Sequence, residues 1–167
     1  HTREAYRARA FQVADAVRPI GLGADIIAGF PGETHVDHEN TMRLVEELPF
    51  TYLHVFPFSP KDGTMAEDLP NPVPQRVAGE RSLELREFVR DKGGEYRTSR
   101  AGQRARVTLE ANGATALTGD YLRVEARGTG MEDVAHLHDG VLRGIGQDLY
   151  IELAGSAFSG MESSHRS

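Results

Sequence analysis

Asp25 is the hardest residue in this sequence to assign to packing alone. It sits in Ala24-Asp25-Ile26-Ile27-Ala28, a near-continuous apolar run, and a carboxylate in such a run must be paired or must face a polar cavity. The loop Gly29-Phe30-Pro31-Gly32-Glu33 follows directly. A glycine-bearing loop leaving the C-terminal end of a strand and entering a helix is where α/β sheets and barrels bind ligands. Its glycines allow close backbone approach, and the helix start offers N–H groups. A tight strand-to-helix turn accounts for the same residues, as an arginine partner would for Asp25. In a second apolar run, His54, Phe56 and Phe58 fall on one side by the two-residue period, and Leu53 and Val55 on the other. Phe56-Pro57-Phe58-Ser59-Pro60 could stack on a flat ring such as adenine or pack into a core. His35 and His38 stand three apart, but His38 falls on the buried helix face and no third ligand is near. His136-Leu137-His138 lies at a strand edge, and no metal site is expected there either. No catalytic residue is identified.

These residues need elements to hold them. Tyr6, Ala10, Val13 and Val17 recur at helical spacing behind a Thr2 cap, with Pro19 and Gly21 beyond. Residues 24–28 read as a strand buried on both faces of a parallel sheet. Thr34 and Asp37 resemble a capping box, and His38, Met42, Val45 and Leu48 form the inward face of the helix behind it. Tyr52–Phe56 is a second strand, which completes a βαβ unit. Five prolines in residues 57–74 exclude regular structure. A third helix is expected over Pro74–Lys92, with Val77, Leu85, Phe88 and Val89 inward and Gly93-Gly94 as its stop. Short runs follow at 105–109, 121–125, 140–145 and 149–153, with turn signals at Asn112-Gly113, Gly119-Asp120 and Asp139-Gly140. They predict a small antiparallel barrel of about five strands. The boundary is placed at residue 94, the barrel over 95–155, and a disordered tail over 156–167.

The chain has 167 residues, of which 39% are hydrophobic and 26% charged, as in ordinary soluble proteins. No apolar run is long enough to span a bilayer, so no membrane partner and a cytoplasmic location are expected. There is no cysteine, which excludes disulfides, thiolate zinc sites and any cysteine-held iron–sulfur cluster. The first residue is His1, so the chain is expected to be a fragment or a trimmed product. The formal charge is −6, yet residues 76–106 carry nine basic and five acidic side chains. Arg76, Arg81, Arg86, Arg90, Arg97, Arg100, Arg104 and Arg106 are expected to form a cationic strip, and acids are scarce in sequence around Arg97, Arg100, Arg104 and Arg106. Tyr121 and Arg123 would add a stacking surface and a phosphate contact. On the helix itself, Glu80, Glu84, Glu87 and Asp91 could neutralise the arginines through i,i+4 pairs.

Asp25 through Thr34, followed by Leu53-His54-Val55-Phe56-Pro57-Phe58-Ser59-Pro60-Lys61-Asp62-Gly63-Thr64, resembles the radical S-adenosylmethionine tRNA methylthiotransferase family. Thr118-Gly119-Asp120-Tyr121-Leu122-Arg123-Val124 resembles that family's C-terminal TRAM domain, a small RNA-binding barrel. The resemblance implies a C-terminal segment of a radical S-adenosylmethionine (β/α) barrel over residues 1–94, joined to an OB-like TRAM barrel. It implies a cofactor pocket lined by Asp25, Ile27, Gly29, Pro31 and Glu33 from the fifth barrel strand and by His54, Phe56, Pro57 and Phe58 from the sixth, next to the adenine. The intact enzyme would cleave S-adenosylmethionine to a 5′-deoxyadenosyl radical, abstract hydrogen from the base and insert a methylthio group. Its two four-iron four-sulfur clusters would be held by cysteines in parts this chain lacks, so the isolated chain would be inactive. tRNA and those missing parts are the implied partners, and uncovered sheet edges would allow self-association. His54-Val55-Phe56-Pro57 leans toward the branch acting on N6-threonylcarbamoyladenosine beside the anticodon. Branches acting on isopentenyladenosine or on a ribosomal-protein aspartate are the alternatives, as are a free-standing RNA-binding module and a phosphate-binding (β/α) barrel.

Overall fold

Thr2 opens the first helix of the computed structural model, which describes residues 2–128, 134, 136–145 and 148–153. Its hydroxyl accepts the Ala5 N–H at 3.2 Å, and α1 spans Arg3–Ala16. Of the expected apolar face only Ala10 is buried, while Tyr6, Val13 and Val17 are exposed. The periodicity marks the helix, but among the described residues little covers that face.

Strand β1 (Gly23–Ala28), helix α2 (His35–Glu47) and strand β2 (Tyr52–Pro57) form the βαβ unit that the spacing predicts. The strands pair in parallel, with Asp25 opposite His54 and Ile27 opposite Phe56. Thr34 and Asp37 make a reciprocal capping box, and hydrogen bonds from Thr34 hold the Asp37 carboxyl below its usual range. His38, Val45 and Leu48 are buried, as the helical period requires. His38 is tolerated there because its Nε2 lies 2.8 Å from the Glu84 carboxylate. Ala28, Val45, Leu48, Phe50, Val55, Leu85 and Val89 form one core with Ala10.

Helix α3 runs Gln75–Ser99, straight through Gly93-Gly94. The expected stop is therefore wrong, and packing supplies the reason. A Cβ on Gly93 would lie 2.6 Å from the Thr51 carbonyl oxygen, so this glycine permits a close helix–backbone approach. Just before it, the Lys92 ammonium donates to the carbonyls of Val45 (2.9 Å), Glu46 (2.8 Å) and Leu48 (2.5 Å), satisfying the exposed carbonyls of the α2 C-terminus. Burial lowers the Lys92 pKa, opposed by Glu46 and Glu95.

The chain divides into two units, His1–Tyr96 and Arg97–Ser167. The second is a closed barrel of β3 (Arg104–Leu109), β4 (Thr115–Thr118), β5 (Arg123–Arg127), β6 (Leu137–Ile145) and β7 (Asp148–Glu152), in the order β3-β4-β5-β7-β6. It differs from the expectation in three respects. The β5–β7 pair is parallel. Strand β4 appears where only turn residues were recognised. Asp139-Gly140 lies inside β6 instead of turning: Gly140 faces Ile151, whose side chain would meet a Cβ at 2.7 Å. The Asn112-Gly113 turn forms as expected, with Asn112 Oδ1 accepting the Ala114 and Thr115 N–H groups at 3.0 and 3.1 Å. Alternation places Val107, Leu109, Ala116, Val124, Leu142 and Ile151 inside. Residues 156–167, expected to be a disordered tail, lie outside the described residues. No helix among the described residues is long and apolar enough to cross a membrane.

Candidate functional site

In the first unit, the two-residue period divides the β1–β2 sheet into two unlike faces. Ala28 and Val55 are buried, and Ala24, Ile26 and Leu53 pack against the same core. The other face carries Asp25, Ile27, Tyr52, His54 and Phe56, all exposed, with Ile27 at 56% and Phe56 at 54%. Strand 24–28 is therefore not buried on both faces within this chain, and Asp25 has no ion pair among the described residues. The parallel register places the Asp25 carboxylate beside His54 and the Ile27 side chain beside Phe56. An apolar patch thus adjoins two polar groups at the strands' C-terminal end.

The Gly29–Glu33 loop closes that end. Gly29 adopts φ +78°, which favours glycine, and stands 2.9 Å in Cβ terms from the Ala78 backbone. Phe30 and Phe58 meet edge to face at 5.1 Å. Phe58 follows the end of β2; its N–H donates to Ala28 O at 2.8 Å, and its own carbonyl accepts the Gln75 amide at 2.9 Å. Pro57 is exposed at the strand end, and Pro31 is half-buried in the loop.

The N–H groups expected to be open to a ligand are used internally. Glu33 Oε2 accepts Gly29 N–H at 2.6 Å and Phe30 N–H at 3.3 Å, while Glu33 Oε1 binds Arg81 at 2.8 Å. Gly32 N–H donates to Asn71 O at 2.8 Å. At the α2 N-terminus the capping box takes the Thr34 and Asp37 N–H groups. The loop expected to offer free N–H groups is instead braced by its own carboxylate, and Glu33 shapes the site instead of reaching into it. Arg81, expected on the cationic strip, gave no local signal of this role because its partner lies 48 residues away.

Further pairings dissolve much of the cationic helix. Arg86 donates to Val55 O at 2.7 Å, and Arg76 pairs with Glu80. Among the described residues that is the only anticipated i,i+4 pair, because Glu84, Glu87 and Asp91 have no basic residue four positions away, and Glu84 meets His38 instead. His35 meets Glu39 at 3.3 Å, and among the described residues no group of three or more potential ligands converges for a metal.

In the second unit, the six residues predicted to contact RNA separate. Arg100 is only 2% exposed: its Nε donates to Asp120 Oδ2 at 2.8 Å, and a further N–H pairs with Gln103. Arg100 is thus corrected from a surface contact to a buried structural ion. The acid is distant in sequence, which is why the segment looked unneutralised. Arg97 is half-buried, and its pKa is lowered by burial with Asp148 opposing. Arg104 is exposed and forms no ion pair among the described residues. Arg106 is exposed and forks onto Asp139 at 3.0 and 3.2 Å. Arg123 forks onto Glu110 at 2.7 and 2.8 Å. These hydrogen bonds hold Asp139 and Glu110 below the usual carboxylate range and raise both guanidinium pKa values. Any phosphate binding there competes with a carboxylate. Tyr121 does not lie on a strand as expected; it occupies the β4–β5 turn. That turn lies beside Arg106, whose carbonyl accepts the Gly119 N–H at 3.1 Å.

No family model matches the chain. It is similar to the threonylcarbamoyladenosine tRNA methylthiotransferase MtaB of Treponema pallidum, 38% identical over 125 residues, covering 72% of this chain and 26% of that protein. The protein of the same name from Rickettsia prowazekii is 43% identical over 98 residues, covering 58% and 23%. A tRNA-2-methylthio-N(6)-dimethylallyladenosine synthase from Ehrlichia canis is 36% identical over 111 residues, covering 66% and 25%. The chain spans about a quarter of the length of these curated relatives.

Proposed function

The chain belongs to the radical S-adenosylmethionine tRNA methylthiotransferase family, and from that premise we propose that it supplies one wall of the cofactor pocket and the RNA-binding barrel of such an enzyme. In this reading residues 1–94 are the last strands of the catalytic (β/α) barrel, and residues 95–155 are its TRAM domain. The observation that carries it is the open sheet face. Ile27 and Phe56 present exposed apolar surface beside Asp25 and His54, which suits a ligand with one flat aromatic part and one polar part. S-adenosylmethionine has that composition, and when bound it supplies the radical that starts methylthiolation. The chain's own part is to bind and orient. Phe56 and Ile27 cover the adenine, Asp25 and His54 offer polar contacts, and Gly29, braced by Glu33, sets the backbone beside them. Pro31, Pro57 and Phe58 fix the loop and strand end that frame the pocket.

The cluster does not fit this chain, which has no cysteine to ligate iron; the isolated chain is accordingly inactive, and the clusters belong to the missing parts. The substrate we favour is N6-threonylcarbamoyladenosine in tRNA, in the cytoplasm, on the spelling His54-Val55-Phe56-Pro57. The dimethylallyladenosine branch is the second reading, because a relative of that name matches at 36% identity.

A chimera tests the proposal. The matching stretch of the Rickettsia relative is replaced by this chain's, and the reconstituted enzyme is assayed on tRNAs bearing either nucleoside. Methylthiolation of the threonylcarbamoyl substrate is expected, and Phe56→Ala should raise the KM for S-adenosylmethionine roughly tenfold through lost aromatic contact. Activity on the dimethylallyl substrate alone reverses the branch. A soluble, cluster-loaded chimera inactive on both overturns the proposal.

A further inference from the structure

Tyr121 holds a backbone conformation that no side-chain contact among the described residues accounts for. Its φ is +64°, in the left-handed region. Glycine or asparagine enters that region readily, whereas for a bulky aromatic residue it is an outlier. A purely structural turn would therefore carry a small residue here. Yet the ring is 71% exposed, the most exposed aromatic side chain among the described residues. It has no hydrogen bond, aromatic contact or cation contact among them either.

The turn around it is fixed on both sides. Thr118 N–H donates to Leu122 O at 2.9 Å, Tyr121 N–H donates to Thr118 O at 3.0 Å, and Leu122 N–H donates to the Thr118 hydroxyl at 2.9 Å. Asp120, immediately before the ring, is 3% exposed and locked by buried Arg100. With Asp120 pulled inward and Leu122 half-buried, Tyr121 is held outward. Beside the turn, β3 sends Arg104 and Arg106 to the surface.

We propose that Tyr121 is a preorganised platform on which one unpaired base of a single-stranded RNA stacks, with Arg104 and Arg106 facing the adjoining phosphates. An exposed aromatic ring on a turn beside a strand that carries exposed arginines matches the way small barrels hold single strands, where the ring takes the base face and the cations follow the backbone, Arg106 exchanging Asp139 for phosphate. The inference rests on the reading of the barrel as the RNA-binding part, and it names the residue and the kind of RNA feature recognised.

The whole chain is titrated into a labelled oligoadenylate of about twelve nucleotides carrying one 2-aminopurine, a length within the site size of such barrels. Tyr121→Ala should lower affinity roughly 5- to 100-fold, the range measured for loss of one stacked base. The salt dependence should be unchanged, because no phosphate contact is removed. Tyr121→Phe should bind like the wild type and retain 2-aminopurine quenching, and Tyr121→Gly should lose quenching while raising the melting temperature, because it relieves the left-handed backbone. Wild-type binding that Tyr121→Ala and Tyr121→Gly leave intact overturns the platform and leaves the RNA reading standing. No binding by the wild type overturns both. A change in oligomeric state on sedimentation, with RNA affinity constant, assigns the ring to a contact between copies and also overturns the proposal.

Discussion

Arg100 and Asp120 illustrate how much a single residue's role depends on a partner that is remote in sequence. Both are almost fully buried, and such a pair contributes little net stability while both members are present. Removing one member is different. Asp120→Ala would leave a buried guanidinium without its carboxylate and should destabilise the barrel by about 3–5 kcal/mol in urea unfolding, whereas Arg100→Met with Asp120→Leu should recover most of that loss. If the single variant unfolds at the wild-type midpoint, the pair has no such structural role. Local rules made the Thr34–Asp37 box and the buried face of α2 legible, because their signals lie within a few residues. The partners of Arg81, Arg100, Arg106 and Arg123 were not legible, because folding brings each carboxylate from a different element. A cation count along the chain therefore overstated the surface open to RNA.

Among the elements, α3 shows that glycine acts according to what faces it. Gly79 and Gly93 both lie in this helix. Nothing lies within 4 Å of a Cβ added at Gly79, whereas one at Gly93 would press on the Thr51 carbonyl oxygen. Alanine should thus have opposite signs at the two sites. Gly79→Ala should stabilise the first unit by about 0.5–1 kcal/mol through helix propensity, and Gly93→Ala should destabilise it by about 1–3 kcal/mol through forced displacement. Thermal melts of both variants check this, and shifts of the same sign would contradict it. Read without neighbours, Gly93-Gly94 looks like a terminator. The strands were more legible than their ends, since alternation identifies a strand but turn residues such as Asp139-Gly140 also occur inside one. Strand β4 escaped notice because Thr115–Thr118 is only four residues long.

At the scale of the whole molecule, the two units differ in how their sheets end. The described β1–β2 sheet has two strands and an open face, while β3–β7 close on themselves. Edges and open faces weaken protection of backbone hydrogen bonds, and closure removes edges. Hydrogen exchange should accordingly be slower for the interstrand hydrogen-bonded amides of β3, β4 and β7 than for those of β1 and β2, and the reverse order would contradict this comparison. The same closure also bears on the order of events in folding. The barrel shuts by pairing β3 with β6, in a register that sets Arg104 against Val141 and Thr108 against Leu137. Between these strands lie β4 and β5, so the contact that completes the ring spans a long stretch of chain and carries the larger loop-closure entropy. On a ribosome, β3, β4 and β5 emerge as a meander with both outer strands exposed. They must wait for β6 to close one side and for β7 to enter between β5 and β6.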